Sequence, residues 1–299
     1  MNINLGCLAP FYEEMIRKGS IMEKQTPIKI GILNIMHDKA DTKKRFDQVL
    51  TASADNIELH YFYPKDHYKN RPVPDAVSAL AKPLELEQVA KLDAFIITGA
   101  PIEKVAFEEV TYIEELHRLF DFLASHRLSQ LYVCWGAMAA ANYFYGIKKQ
   151  LLPQKLFGIY PQVIENDSPL LTGLPAGFLA PHARYAELDV EQIRKHQDLK
   201  ILAHTPNDEL FAMENNTGVQ TFLFSHLEYE REALLKEYQR ELAAYPADAK
   251  TLARPQNYFQ DINTLTGPTF KWELAQKVFF ENWLQMVGRK REKQLVISR

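Results

Sequence analysis

A thiol at Cys134, an imidazole at His226 and a carboxylate at Glu228 are the groups of this chain that together can do covalent chemistry. They are the parts of a nucleophile, its general base and the group that fixes the base's tautomer. Histidine takes the thiol proton, and glutamate supports the imidazolium that results. Cys134 sits in Leu-Tyr-Val-Cys-Trp-Gly-Ala-Met-Ala-Ala-Ala, residues 131–141. An apolar β-type run ends at the cysteine and small helix-forming residues follow at once. That reads as strand, sharp turn and helix, the cysteine analogue of a nucleophile elbow. Amide N–H groups at a helix start stabilise a thiolate and can hold an oxyanion. A cysteine ending an apolar strand is also a common core residue, and on this stretch alone both readings stand. His226 and Glu228 follow an apolar strand, and residues two apart in extended chain point the same way. The alternative is that they cap the strand and start the next helix.

The elements that must hold these groups follow from period and punctuation. Ile28-Lys-Ile-Gly-Ile-Leu-Asn34 alternates and is rich in β-formers, so 28–34 is a first strand. Phe46, Val49 and Leu50 have the spacing of a helix over 41–52, and 57–63 reads as a second strand. Residues 64–83, rich in Pro, Lys, Asn and His, form a surface loop near the ligand end of the sheet. It is either a substrate lid or a plain connection. Asp93-Ala-Phe-Ile-Ile-Thr98 is an apolar run stopped by Gly99-Ala-Pro101, as suits a central parallel strand covered on both faces. A helix over 112–125 and the strand ending in Cys134 come next. The alternation implies an α/β fold, a mostly parallel doubly wound sheet with flanking helices. Ligands of such sheets bind beyond the strand carboxyl ends, where Gly99 and Cys134 both lie.

Later elements are shorter. Strands are expected over 157–164, 199–204, 210–213 and 220–224. A helix over 231–244 carries alternating charges on its outer face, and 254–259 is a loop. An amphipathic helix over 272–287 has Trp272, Val278, Phe279, Trp283 and Met286 as anchors, and the Lys/Arg-rich residues 288–299 are its solvated end. The chain thus divides into an N-terminal arm (1–26), a catalytic domain (27–250) and a C-terminal extension (251–299) packed on that domain.

Composition excludes several classes. The 299 residues are 46% hydrophobic and 24% charged, with a formal net charge of -3, the balance of an ordinary soluble globular protein. No basic bias points to nucleic acid and no apolar run approaches the ~18 residues of a membrane span. Cys7 and Cys134 make no disulfide framework, so a reducing, cytoplasmic location is expected. Nine histidines include no His-Glu-x-x-His, and no Gly-rich phosphate loop is present. No metal and no bound cofactor are expected; acyl transfer through a thioester remains.

Six segments, in order, carry a resemblance: Thr98-Gly-Ala-Pro-Ile-Glu103, Cys134-Trp-Gly-Ala137, Lys155-Leu-Phe-Gly158, Pro181-His-Ala-Arg-Tyr185, His226-Leu-Glu228 and Asn257-Tyr-Phe259. From about Pro27 to Val287 the chain resembles the homoserine O-acyltransferases of methionine biosynthesis, the homoserine trans-succinylase group. That resemblance implies a fold like class I glutamine amidotransferases, a homodimer, and ping-pong transfer from an acyl-CoA through a cysteine thioester to an amino-acid hydroxyl. It places Cys134 as nucleophile, His226 as base, Glu228 as its partner and the Trp135 backbone N–H as an oxyanion donor. Lys155 and Arg240 fall where the family holds its amino-acid substrate; a guanidinium grips a carboxylate bidentately and an ammonium adds a point charge. Glu103 matches the position that sorts acyl donors. A carboxylate there repels a succinyl carboxylate, which favours acetyl-CoA as co-substrate.

The chain departs from the family's pattern around the acceptor. Ala183 replaces a serine whose hydroxyl helps define the amino-acid site. Ile35-Met-His-Asp38 stands for the family's Leu-Met-Pro stretch, Met138 for a glutamine, Ser225 for a glycine and Leu227 for a proline. Homoserine is therefore the expected acceptor with serine, one methylene shorter, as its rival; a hydrophobic pocket separates the two by only ~1–3 kcal/mol. Succinyl-CoA as donor and a glutamine amidotransferase-type hydrolase are the remaining alternatives.

Overall fold

The computed structural model describes residues 26–54, 56–246 and 251–297. Apart from Thr26, the arm expected over residues 1–26 lies outside the described residues, as does Cys7. In chain order the elements begin with β1 (Ile28–Leu33), α1 (Lys39–Ser53), β2 (Ile57–Tyr63), α2 (Asp75–Ser78), β3 (Lys82–Pro83), α3 (Leu86–Val89), β4 (Ala94–Ile97) and α4 (Ile113–Ser125). There follow β5 (Ser129–Val133), α5 (Trp135–Tyr145), β6 (Lys149–Pro161), β7 (Val163–Ile164), β8 (Leu179–Leu188) and α6 (Val190–Lys195). The chain closes with β9 (Leu199–His204), β10 (Leu210–Asn215), β11 (Gln220–Leu223), α7 (Ala233–Ala244), the short hairpin β12 (Phe259–Asp261) and β13 (Thr266–Pro268), and α8 (Glu273–Ile297).

Nine strands form one sheet in the order β3-β2-β1-β4-β5-β11-β10-β9-β7. The six from β3 to β11 pair in parallel and the remaining three are antiparallel. Side-chain alternation gives each face its own core. In β4, Ala94 and Ile96 join a core under α1, α7 and α8, while Phe95 and Ile97 join a second core under α4 and α5. Because β1, β4, β5 and β11 are neighbours running the same way, the residues after each meet on one rim. These are Asn34 to His37, Gly99 to Glu103, Cys134, and Ser225 to Glu228.

Two features differ from what the sequence suggests. The strand expected at 157–164 is the end of the much longer β6 and all of β7, and β6 pairs antiparallel with β8 as a two-stranded ribbon outside the main sheet. β8 escaped detection because His182, Arg184 and Glu187 are buried along it, so polarity and burial do not alternate. The Arg184 guanidinium accounts for this burial: it pairs with Glu187 and donates to Leu210 O at 2.9 Å and Phe224 O at 3.2 Å, stitching the ribbon to the sheet. The second difference is α7. Its charges are not all on the outer face, since Glu237 and Glu241 are buried against the ribbon. At the C-terminus, α8 continues past the predicted end at 287 to Ile297, and Arg291 donates to Thr26 O and Pro27 O at 2.8 and 3.0 Å.

Candidate active site

Cys134 forms the corner between β5 and α5 with φ 48° and ψ -112°, backbone angles an L-residue rarely adopts. Two hydrogen bonds hold it there. Its N–H donates to Leu223 O on β11 at 2.7 Å, and Met138 N–H donates to its carbonyl at 3.0 Å as the first bond of α5. The amides of Trp135, Gly136 and Ala137 precede that bond and have no acceptor within the helix. Strain of this kind costs of order 1–3 kcal/mol and is kept where the surroundings over-determine it. Glycine is required on both sides of the corner. A Cβ on Gly136 would lie 2.7 Å from Thr98 O, so α5 approaches β4 only because that side chain is missing. A Cβ on Gly99 would come within 3.3 Å of Cys134 Cβ and 3.6 Å of His226 Cε1, filling the space over the thiol.

His226 enters from the other side. Residues 226–229 are a turn, closed by Tyr229 N–H to His226 O at 3.1 Å, rather than the extended chain its spacing suggests. Its own N–H donates to Pro181 O on β8 at 2.9 Å. The ring Nδ1 lies 2.7 Å from Glu228 Oε1, and the ring and the Cys134 side chain both border the space that a Gly99 Cβ would fill. Tyr229 stacks on it with centroids 4.4 Å apart. Burial disfavours the charged imidazole, yet the Glu228 carboxylate and the Cys134 sulfur outweigh it and hold the ring well above its ordinary pKa. This ring is built to keep a proton taken from a thiol.

The wall facing this pair comes from the ribbon and α7. Lys155 on β6 is buried and its ammonium pairs with Glu237 and with Glu241, the latter at 2.6 Å. Glu241 accepts from Tyr185 at 3.1 Å and Glu237 from Tyr229 at 2.8 Å, so the network reaches the ring stacked on His226. Burial pushes Glu237 up, but the charges of Lys155 and His226 overcome it and leave its carboxyl below the usual range. Glu103, in the turn after β4, is 8% exposed. Burial raises its pKa, with the Glu237 charge adding to the rise and its own backbone bond, Lys155 and His226 opposing it. Ala183 is buried on β8 opposite Phe157. Arg240 lies on the exposed side of α7, where its Nη1 is 3.3 Å from His37 Nε2.

Of the residues singled out in the sequence, Glu103, Cys134, His226 and Glu228 lie on the rim, while Lys155 and Ala183 belong to the ribbon and Arg240 to α7. Those that sequence reasoning missed are Tyr229, Glu237 and Glu241. The two glutamates were legible in part, since a spacing of four puts them on one helix face; nothing in sequence places Lys155 between them. Two cavities open here. One of about 290 Å³ is lined by His37, Arg45, Tyr229, Glu237 and Arg240 among others. Another of about 500 Å³ runs between the segment after β1 and residues 64–77 and 100–112. They share Met36 and His37. The stretch read as a loop over 64–83 holds α2 and β3, and its first part, Pro64 to Val77, is a cavity wall. Among the described residues, no group of His, Cys, Asp or Glu is placed to hold a metal ion, and no helix is long and apolar enough to cross a membrane.

A family model for HTS, homoserine O-succinyltransferase, matches residues 13–293. A serine O-acetyltransferase of Lacticaseibacillus casei is 49% identical over 267 residues, which span 89% of this chain and 97% of that protein. A homoserine O-acetyltransferase of Acetivibrio thermocellus is 34% identical over 259 residues, 86% of this chain and 84% of its own. Among solved structures, a glutamine amidotransferase from Thermotoga maritima superposes with a TM-score of 0.58 at 13% identity. The match covers 87% of this chain and 97% of that one, a likeness of fold.

Proposed function

The chain belongs to the homoserine O-succinyltransferase family and is an amino-acid O-acyltransferase; we propose that it moves an acetyl group from acetyl-CoA, through a thioester on Cys134, to the hydroxyl of L-serine. The observation that carries the chemistry is the His226 ring, set beside the Cys134 side chain and bonded through Nδ1 to Glu228. His226 accepts the thiol proton, and the sulfur attacks the acetyl carbonyl carbon. The oxyanion forms against the Trp135 N–H, a fixed donor that needs no reorganisation as the charge develops. Collapse breaks the carbon–sulfur bond to CoA, whose thiolate takes the proton back from His226. In the second half, His226 receives the acceptor's hydroxyl proton as that oxygen attacks the thioester, and the Cys134 thiolate leaves. Glu228 fixes the ring tautomer throughout.

The smaller cavity has the volume and charge pattern for an amino-acid zwitterion. Arg240 suits the α-carboxylate, and the Glu237 carboxylate favours the ammonium; Lys155 holds that carboxylate in place. Serine as acceptor is supported by the 49% identity to a serine O-acetyltransferase and by Ala183, where the family's hydroxyl is missing. Acetyl as the acyl group is supported by Glu103, a buried carboxylate at the turn beside the thiol. A second reading, L-homoserine as acceptor, is favoured by the family itself and by the 34% relative.

Thiol release from acetyl-CoA, measured with L-serine and L-homoserine in parallel, tests the reading. A higher kcat/KM for serine is expected, and a tenfold preference for homoserine would establish the second reading instead. Succinyl-CoA in the same assay should be used poorly by the wild type and better by Glu103→Gly. An unchanged donor ratio in that variant would remove Glu103 from donor selection.

A further inference from the structure

The larger cavity opens beside the turn that follows β4. Its inner end is Ala100-Pro101-Ile102, directly after the Gly99 that faces the thiol, and its walls include Ile35, Pro64, Tyr68 and Val110. Two cationic side chains, Lys39 and Arg71, line it with His67, whose imidazole is held below its ordinary pKa by burial and the Arg71 charge. Lys39 Nζ donates to Asn34 O at 2.8 Å and Met36 O at 3.0 Å. Arg71 contacts the His67 ring and lies over Tyr68, 5.1 Å from its centroid. Among the described residues, none of the three has a carboxylate within ion-pair distance. The cavity's own carboxylate, Glu109, is turned to the Ala106 N–H at 3.3 Å. Elsewhere on the rim the reverse holds, since Lys155 pairs with two glutamates. Burial lowers the Lys39 ammonium to about 8, the signature of a cation paid for by no anion of this chain. A largely apolar trough that runs beside the Gly99 turn and carries unmatched cations fits a ligand with an apolar arm and an anionic head.

We propose that Lys39 and Arg71 bind the phosphates of the acyl-CoA donor, with the apolar wall taking its pantetheine arm toward Cys134. The proposal rests on the acyl-transfer reading above and assigns the donor's half of the site, which neither the catalytic trio nor the acceptor wall supplies. A guanidinium grips phosphate oxygens bidentately while an ammonium acts as a point charge, so both substitutions are felt.

Lys39→Met and Arg71→Ala are each compared with wild type using acetyl-CoA, acetyl-dephospho-CoA and S-acetylpantetheine, which carries none of the phosphates. Each variant is expected to raise the KM for acetyl-CoA about tenfold or more, as loss of a charge-assisted contact does. The KM for S-acetylpantetheine and for the amino-acid acceptor should stay at the wild-type values. A loss that persists with the dephospho donor assigns the diphosphate, and one that disappears assigns the 3′-phosphate; both support the site. Arg71 is exposed, so its variant keeps the fold even where Lys39→Met does not. Equal loss with S-acetylpantetheine, or no loss with any donor, overturns the proposal. Acetylation of wild-type Cys134, read by intact mass, separates the two readings. If it does not occur the acyl-transfer reading fails as well, and if it does only the phosphate site is overturned.

Discussion

The elbow and the acceptor wall face each other across one rim but are made differently. The elbow is local: Cys134 is held by strand and helix immediately before and after it, with Leu223 O as its one distant bond. Its cost is a strained backbone. The wall is assembled from afar, since Lys155 reaches carboxylates 82 and 86 residues away. Its cost is the desolvation of three charges. A catalytic corner can thus be conserved in form by a short stretch of chain, whereas a specificity wall depends on how the ribbon docks on α7. Single substitutions can retune the wall without touching the corner.

If that contrast holds, breaking the elbow should remove activity and leave stability, and breaking the wall should do the opposite first. Cys134→Ala is expected to lower transfer by roughly 10⁴-fold or more, with little change in the urea midpoint. Cys134→Gly, which frees the positive φ, should be equally inactive yet more stable than Cys134→Ala by about 1 kcal/mol. The reverse order in urea melts would mean that the corner is not strained. Lys155→Met leaves two buried carboxylates unpaired and should cost about 3–5 kcal/mol in the same melts. Adding Glu237→Gln and Glu241→Gln should recover most of it; failure to recover would show that Lys155 matters for packing rather than charge.

Smaller effects sharpen the contrast. The carboxyl of Glu103 is raised by burial, so its pKa is higher folded than unfolded. Ionising it at neutral pH therefore costs stability, a cost absent below the unfolded value near ~4.3. Glu103→Gln should be more stable than wild type at pH 7, with the gap closing as pH falls toward 4 in urea melts. A gap independent of pH would point to packing. Smallest is Ala183→Ser, which restores the family's hydroxyl on β8. It should move the serine-to-homoserine ratio of kcat/KM toward homoserine by less than about tenfold. No movement would take Ala183 out of acceptor choice.

Much of this was legible beforehand, for reasons that differ by region. β1, β4, β5 and α5 are short, strongly patterned and bounded by Gly, Pro or a change of period, so local rules place them and the thiol at the corner. The fold expected from those elements is the one observed. His226 and Glu228 were paired correctly but through a turn, because a two-residue offset is satisfied by more than one backbone. β8 was missed since an ion pair at Arg184 lets polar residues fill core positions. The outward reading of α7 failed for the same reason: a charge pattern does not reveal which charges have a buried partner. Sequence by itself determined the parallel sheet and the elbow at Cys134, both set by neighbours a few residues away. Only the tertiary structure decided that Lys155 lies between two glutamates and that Lys39 and Arg71 lie without one. Electrostatic matching is a property of distances in space, and those are fixed when the ribbon, α7 and the β1–α1 turn close around the rim.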